Sequence, residues 1–278
     1  GWDLGGSGSN FRTPSCCVGP GRCEYACFDT LDFLYNITQA YQTELHRPMW
    51  PYKSKIKVSG CPNDCISAQA RADISVLGTW RDAIQIDQAE VAKYADAGFD
   101  IENLVCGYCP TKCISYDADK KEIAVDNENC TRCMHCINEM PKALHVGKER
   151  GATILMGGKA TIVQSAFLSW VVVPFMPMDK ENDYEEFKDL VEKVWEWWDE
   201  NAKVRERLGE LIYRKGMAEF LKAVELDPIP QMVKHPRENP YYFWYPEDFE
   251  ENPYNSYFSS SFILFFISFS AQRSSKKR

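Results

Sequence analysis

Apolar positions recur at helical spacing over Tyr25, Phe28, Leu31, Leu34, Tyr35, Thr38 and Tyr41. They predict a helix across about 24–45, ended by Pro48 and Pro51. Residues 52–58 then alternate as Tyr-Lys-Ser-Lys-Ile-Lys-Val, the period-two pattern of a strand. A turn at Gly60 and Pro62 leads to a helical stretch over 64–72 and a strand over Ile74–Trp80. Residues 88–105 read as helical or mixed. A short strand pair follows at Ile114–Tyr116 and Ile123–Val125, joined by the polar turn Asp117–Lys121. Ala152–Met156 reads as a strand closed by Gly157-Gly158-Lys159, and Ala166–Val173 as another.

Two amphipathic helices come next. Phe187, Leu190, Val191, Val194, Trp195 and Trp198 share one face of the first. Leu208, Leu211, Ile212, Phe220, Leu221 and Val224 serve the second, with a break at Gly216 and an end at Pro228 and Pro230. The Trp195, Trp197, Trp198 cluster suits a core or a subunit interface better than a cofactor site. Strands and helices are interspersed, so the fold class is α+β.

Composition narrows the function classes. The chain has 278 residues, 45% of them apolar and 13% aromatic, which excludes disorder for its bulk. Lys plus Arg is 32 against 40 Asp plus Glu, a formal charge of −8. Such a chain lacks the basic face that nucleic acid demands. No apolar run is long enough for a membrane span. The opening Gly1–Asn10 is a glycine-rich loop of the kind that joins packed elements, so a missing front is expected. Residues 255–278 are rich in Ser and Phe and basic, unlike the acidic stretch before them, and read as a disordered or foreign tail. A membrane-surface anchor is the alternative for that tail.

Cysteine is the outlier, with 12 residues, all in the first half. A disulfide scaffold would be short and would spread its cysteines throughout. Metal-bound thiolates in a reducing compartment fit better. Cys17 and Cys23 are one pair, Cys61 and Cys65 another. Four thiolates from two loops can close around zinc or an iron–sulfur cluster, and the long gap between Cys17 and Cys23 favours the larger group. Cys16 and Cys27 read as free thiols. Lys53, Lys55 and Lys57 project from one strand face, running into Cys61; Arg12 precedes the first pair and Arg71 follows the second. The plain reading of the lysines is a protected edge strand. Five cations beside a metal site on an acidic protein instead suggest a pocket for an anion or a polycarboxylate. Clustered ammoniums also depress one another's pKa and ease proton donation.

A second group lies in the compact stretch 106–146. Cys130, Cys133 and Cys136 stand as Cys-Thr-Arg-Cys-Met-His-Cys, and Cys109 precedes Pro110. Three close thiolates with a remote cysteine–proline is how bacterial ferredoxins hold a cubane. A second such motif is incomplete, since the position after Cys136 is Met140-Pro141. One 4Fe–4S cluster is therefore expected here, with Cys106 and Cys113 as spares.

With these residues in view, the sequence resembles the dissimilatory sulfite reductase alpha subunits. The resemblance rests on Gly1–Asn10, Arg12-Thr13-Pro14-Ser15-Cys16-Cys17, Arg22-Cys23-Glu24, Glu44-Leu45-His46-Arg47-Pro48 and Pro51-Tyr52-Lys53 through Lys57. It continues in Gly60-Cys61-Pro62-Asn63, Gly78-Thr79-Trp80-Arg81-Asp82 and the Cys130–Cys136 run. Val173-Pro174-Phe175-Met176, Trp195-Glu196-Trp197-Trp198 and Arg207-Leu208-Gly209-Glu210 complete it. It covers about 1–254 and stops at the tail.

The resemblance implies a siroheme and 4Fe–4S sulfite reductase domain with an inserted ferredoxin-like domain and C-terminal helices. The implied division is 1–99 for the siroheme and cluster part, 100–148 for the insert, 149–254 for the return and helices, and 255–278 for the tail. Cys17, Cys23, Cys61 and Cys65 would hold one cluster, with Cys65 bridging to siroheme iron. Arg12, Lys53 and Lys55 would bind sulfite. Lys57 and Arg71 would neutralise siroheme carboxylates. Cys109, Cys130, Cys133 and Cys136 would hold a second cluster through which electrons enter. The implied enzyme reduces sulfite towards sulfide by six electrons, in a cytoplasmic alpha-two-beta-two assembly with a beta subunit and a small sulfur-carrier protein. Two alternatives stay open beside it. An assimilatory sulfite or nitrite reductase predicts no Cys130–Cys136 motif, and a non-enzymatic electron carrier leaves the lysine row without a role. A zinc-stapled interaction protein is a fourth reading.

Overall fold

The computed structural model describes residues 6, 8–46, 50–160 and 166–228. The tail at 255–278, most of the opening loop, Pro48 and Pro230 lie outside them.

A five-stranded mixed sheet forms the frame. Its strands are β1 (Ser15–Cys16), β2 (Ile56–Ser59), β3 (Ile74–Trp80), β8 (Arg150–Met156) and β9 (Trp170–Met176), in the order β1-β2-β3-β8-β9. The first three run parallel, and β3, β8 and β9 are antiparallel. Alternation decides the two faces. Ile56, Val58, Ile74, Val76, Ala152, Ile154 and Met156 enter the main core, while Leu77 and Leu155 enter a small cluster on the opposite face.

Four helices cover the main core face: α1 (Thr30–Ala40), α6 (Glu185–Asn201), α7 (Leu208–Lys215) and α8 (Met217–Ala223). The short α2 (Gln42–His46) follows α1 and adds Leu45 to the same core. The helix expected over 24–45 is therefore shorter and divided. Asp29 accepts from the backbone N–H groups of Leu31 and Asp32, so α1 starts only there. Trp195, Trp197 and Trp198 are buried in the core, as anticipated. Gly216 breaks the last helical stretch at φ +94°, which glycine alone tolerates easily. The last strand sits later than 166–173. Pro174 falls within β9, the edge strand, beside a register irregularity of its pairing with β8, where a residue without an N–H is tolerated.

Trp80 pairs with Arg150 at the end of the β3–β8 hairpin. The chain between them leaves the sheet and builds most of a second core, which Cys27 and Cys61 of the first thiol region also join. Its elements are β4 (Gln85–Ile86), α4 (Gln88–Asp96), β5 (Ile114–Asp117), β6 (Glu122–Val125), α5 (His135–Glu139) and β7 (Leu144–His145). A π-helical turn spans Glu102–Gly107. Residues 84–99 belong with this insert rather than with the sheet: β4 pairs with β7, and the Gln88 amide bonds both ways with the Ile123 backbone. The expected front boundary at 100 thus comes too late, because periodicity marks elements and not the core they join.

Candidate metal centres

Every cysteine lies within the described residues, and each is a free thiol. The first group forms at the ends of β1 and β2. Phe11 bridges Ser54, Arg12 N–H donates to the Ser54 carbonyl at 2.8 Å, and Cys17 N–H donates to the Val58 carbonyl at 2.9 Å. This parallel pairing brings Cys17 beside the turn that carries Cys61. The Gly60 N–H donates to the Cys17 sulfur at 3.1 Å, and the Gly60 carbonyl accepts from Cys27 N–H at 2.7 Å. Cys61 is buried and Cys65 exposed. Burial pushes the Cys61 thiol up to about 11, helped by its neighbours Cys23, Cys65 and Cys17, with a hydrogen bond from the Asn63 backbone opposing. The four expected thiols therefore stand in one electrostatic neighbourhood. Cys27 is pushed up to about 12 by burial, and Cys16 is also raised by burial.

Two features with no announcing pattern in the sequence hold this loop. Asp64 is buried within it and accepts from Ser59 Oγ at 2.8 Å, from Ala68 N–H at 2.7 Å and from Gln69 N–H at 3.1 Å. It thereby caps α3 (Ala68–Arg71), the helix expected over 64–72. Gly78, in mid-strand, lies against the Gly60–Cys61 peptide. A Cβ there would meet the Gly60 oxygen at 1.9 Å. An isolated glycine in an apolar strand is the one local hint of such close approach.

The lysine row takes the orientation that period two predicts. Ser54, Ile56 and Val58 are buried, while Lys53, Lys55 and Lys57 are half-buried on the other side. Arg12 joins them through its pairing with Ser54. Arg71 is exposed at the end of α3. Behind the row stands a buried ion pair that no sequence pattern announces. Arg207 donates to Asp73 through Nε at 2.7 Å and through a terminal nitrogen at 2.6 Å, a two-pronged pair. Asp73 also accepts the Lys55 backbone N–H at 2.8 Å. Burial, then Arg207 and Lys53, hold the Lys55 ammonium below the ordinary lysine range.

The second group lines a small cavity of about 20 Å³ within the insert. Its walls carry Cys109, Cys130, Cys133 and Cys136, and also Cys113. Cys106 is not among them. The Cys109 and Cys113 sulfurs are 3.5 Å apart. Burial raises Cys109, but hydrogen bonds from Cys113 and Thr111 outweigh it and leave this thiol lowered. Cys113 is pushed up to about 12, mainly by burial. Backbone at positive φ turns the thiols inward, at Lys112 (φ 54°), Arg132 (φ 57°) and Met134 (φ 65°). Cys136 is pushed up to about 12 by burial, which ligation to iron would relieve.

The donor sets suit iron–sulfur clusters: each group offers four thiols or more, and the histidine and carboxylate within the runs have other partners, His135 the Leu104 carbonyl and Asp64 Ser59, Ala68 and Gln69. Among the described residues, no group of three or more His, Cys, Asp or Glu side chains is spaced to hold one metal ion. The cation row beside the first group suits a tetrapyrrole rich in carboxylates.

Fold and thiol geometry together define a redox domain. The family model "Nitrite and sulphite reductase 4Fe-4S domain" matches residues 7–229. The chain belongs to that family. The alpha subunit of the dissimilatory-type sulfite reductase of Nitratidesulfovibrio vulgaris is 48% identical over 261 residues, covering 88% of this chain and 59% of that protein. Its counterpart in Allochromatium vinosum is 47% identical over 244 residues, covering 87% and 58%. The crystal structure of dissimilatory sulfite reductase I superposes with a TM-score of 0.79 at 44% identity, over 99% of this chain and 63% of that one. The chain thus spans less than two thirds of the length of these relatives. Among the described residues, no helix is long and apolar enough to cross a membrane.

Proposed function

We propose that this chain is the cluster-bearing part of an alpha subunit that reduces sulfite towards sulfide in the cytoplasm. The observation that carries the reading is one juxtaposition. The cations Arg12, Lys53, Lys55 and Lys57 line the approach to and the run of β1 and β2, and the thiols of the first group follow the far ends of the same two strands. One strand pair thereby carries both the electron source and the proton and anion site.

In this reading Cys17, Cys23, Cys61 and Cys65 would hold a 4Fe–4S cluster, with Cys65, the exposed member, as the ligand on the siroheme side. Siroheme and its cluster, when bound, would supply the electrons and the iron for sulfur–oxygen cleavage. The chain does the rest. Arg12, Lys53 and Lys55 hold the oxyanion of sulfite and offset its charge in a partly desolvated site. Lys55, whose ammonium gives up its proton more readily than usual, protonates departing oxygens so that they leave as water. Lys57 and Arg71 neutralise the tetrapyrrole carboxylates. The Asp73–Arg207 pair fixes the backbone of the row from behind. Cys109, Cys130, Cys133 and Cys136 hold a second cluster, enclosed in the insert, which hands on electrons one at a time. A beta subunit and a small sulfur-carrier protein complete the assembly.

An anaerobic absorption spectrum of the parent-length protein, co-expressed with a beta subunit and followed by acid–acetone extraction, tests this. We expect a released iron tetrahydroporphyrin beside iron–sulfur absorption. Clusters with no tetrapyrrole, despite siroheme supply during expression, would replace the enzyme with a simple electron carrier.

A further inference from the structure

A reciprocal pair of side chains links the two thiol loops. Asn63 lies between Cys61 and Cys65, and Asn138 lies in α5, two residues after Cys136. Asn63 Nδ2 donates to Asn138 Oδ1 at 3.0 Å, and Asn138 Nδ2 donates to Asn63 Oδ1 at 2.8 Å. A reciprocal amide pair demands a donor and an acceptor on both sides, so it fixes two loops in one register. Each partner stands close in the chain to a thiol on its own side: Asn63 is two residues from Cys61, and Asn138 is two residues from Cys136. Cys61, Cys136 and Ile137 also belong to one continuous apolar core, so the pair sits at the rim of a packed contact.

We infer that Asn63 and Asn138 are positioning residues for electron transfer: they hold the insert against the first thiol loop and complete a hydrogen-bonded path from Cys136 to Cys61. The inference rests on the two-cluster reading above. The transfer is a single electron, leaving the insert's cluster oxidised by one and the first cluster reduced by one. No bond is made and no proton is required. The path runs from Cys136 along α5 to Asn138, across the amide pair to Asn63, and along the backbone to Cys61.

Energetics separate this role from a structural one. Both amides are exposed, and exposed hydrogen bonds add little to stability because water replaces them. Their removal should leave the fold and both clusters in place. What changes is the spacing of two loops, and electron tunnelling is steeply sensitive to spacing.

The test uses the full-length protein with its cofactors and partner subunit, in the variants Asn63→Leu, Asn138→Leu, the double variant and Asn63→Asp. A sub-stoichiometric amount of dithionite is mixed in, and freeze-quenched samples are followed by electron paramagnetic resonance of each cluster. We expect transfer out of the insert's cluster to slow about tenfold in both single variants, the scale of a small misplacement. The double variant should be no slower than either single one, because they remove the same contact. Asn63→Asp, which keeps only the bond donated by Asn138, should fall between. Iron content, midpoint potentials and Tm should stay at their wild-type values. Wild-type transfer in the double variant would overturn the inference. So would slowing that always accompanies lost iron or a lowered Tm, since that marks a structural role. An unsubstituted protein with about five irons per chain, siroheme included, instead of about nine would instead remove the two-cluster reading beneath it.

Discussion

The first thiol group draws Cys17 and Cys23 from the chain after β1 and Cys61 and Cys65 from the chain after β2, so the sheet itself assembles it. The second takes three of its members from the single run Cys130–Cys136 and needs only Cys109 from elsewhere. Each group keeps one exposed cysteine, Cys65 in the first and Cys133 in the second, but the first is edged by a row of half-buried lysines, whereas the second is walled by Ile84, Val105, Ile114 and Met134 with Arg132 and His135 beside them. An open site flanked by cations can admit and protonate an anion. An enclosed thiol cavity can store an electron but has no room for chemistry on a substrate. The two groups offer similar ligands, and their surroundings divide the labour.

The largest test of that division substitutes one thiol at each site. Cys65→Ser should abolish sulfite reduction and lose the siroheme-coupled cluster. Cys113→Ser, which removes the surplus thiol of the second cavity, should leave both clusters and the activity intact. Iron, acid-labile sulfide and turnover measured together decide it. Equal cofactor loss in the two variants would erase the distinction between ligand and bystander.

A second test asks whether the open site depends on its hidden support. Asp73 and Arg207 are 1% and 4% exposed, and they join β3 to the start of α7. Removing one partner strands a buried charge. Arg207→Met should therefore cost about 3–5 kcal/mol, read as a fall in denaturant midpoint. The same substitution should loosen the Lys55 backbone, which Asp73 holds, and weaken anion binding. The insert's cluster should be unaffected, because its walls come from the second core. Loss of both clusters at once would mean that the two sites do not fold as separate units.

Much of this architecture is legible in the sequence, for definite reasons. β3, β8, the β5–β6 hairpin and α6 carry unbroken periodicity, so local sequence suffices. The Cys130–Cys136 run declares its chemistry because its spacing is itself the ligand geometry. The lysine row is visible as period two, and its outward orientation follows. Other features depend on distant partners. Asp73 and Arg207 are 134 residues apart, and nothing near either residue signals the other. Asn63 and Asn138, 75 residues apart, look like ordinary loop amides until the insert folds back. Gly78 is readable as a motif residue, yet its contact with Gly60 requires the β2–β3 pairing. The misplaced insert boundary has the same origin, since Gln88 and β4 commit to the second core only through Ile123 and β7.

The finest discrimination comes from pH. Lys55 keeps its charge only below a pKa held under the ordinary lysine value, by burial first and then by Arg207 and Lys53, with Asp73 acting the other way. Between that pKa and about 10.4, the ordinary value, the unfolded chain binds the proton more tightly, so this group makes the fold gain stability as pH rises. Anion binding moves oppositely: the charge that attracts sulfite disappears over the same interval. The Kd for sulfite, followed through the siroheme spectrum, should therefore rise on the alkaline side before ordinary lysines titrate. In Lys55→Arg the guanidinium stays charged, so that alkaline rise should vanish. Lys55→Met should weaken binding about tenfold at lower pH, the loss of one charge-assisted contact. Reduction of the enclosed cluster should show none of this dependence, since no lysine lines its cavity. An alkaline limb that persists unchanged in Lys55→Arg would assign the titration to another cation of the row, Lys53 first.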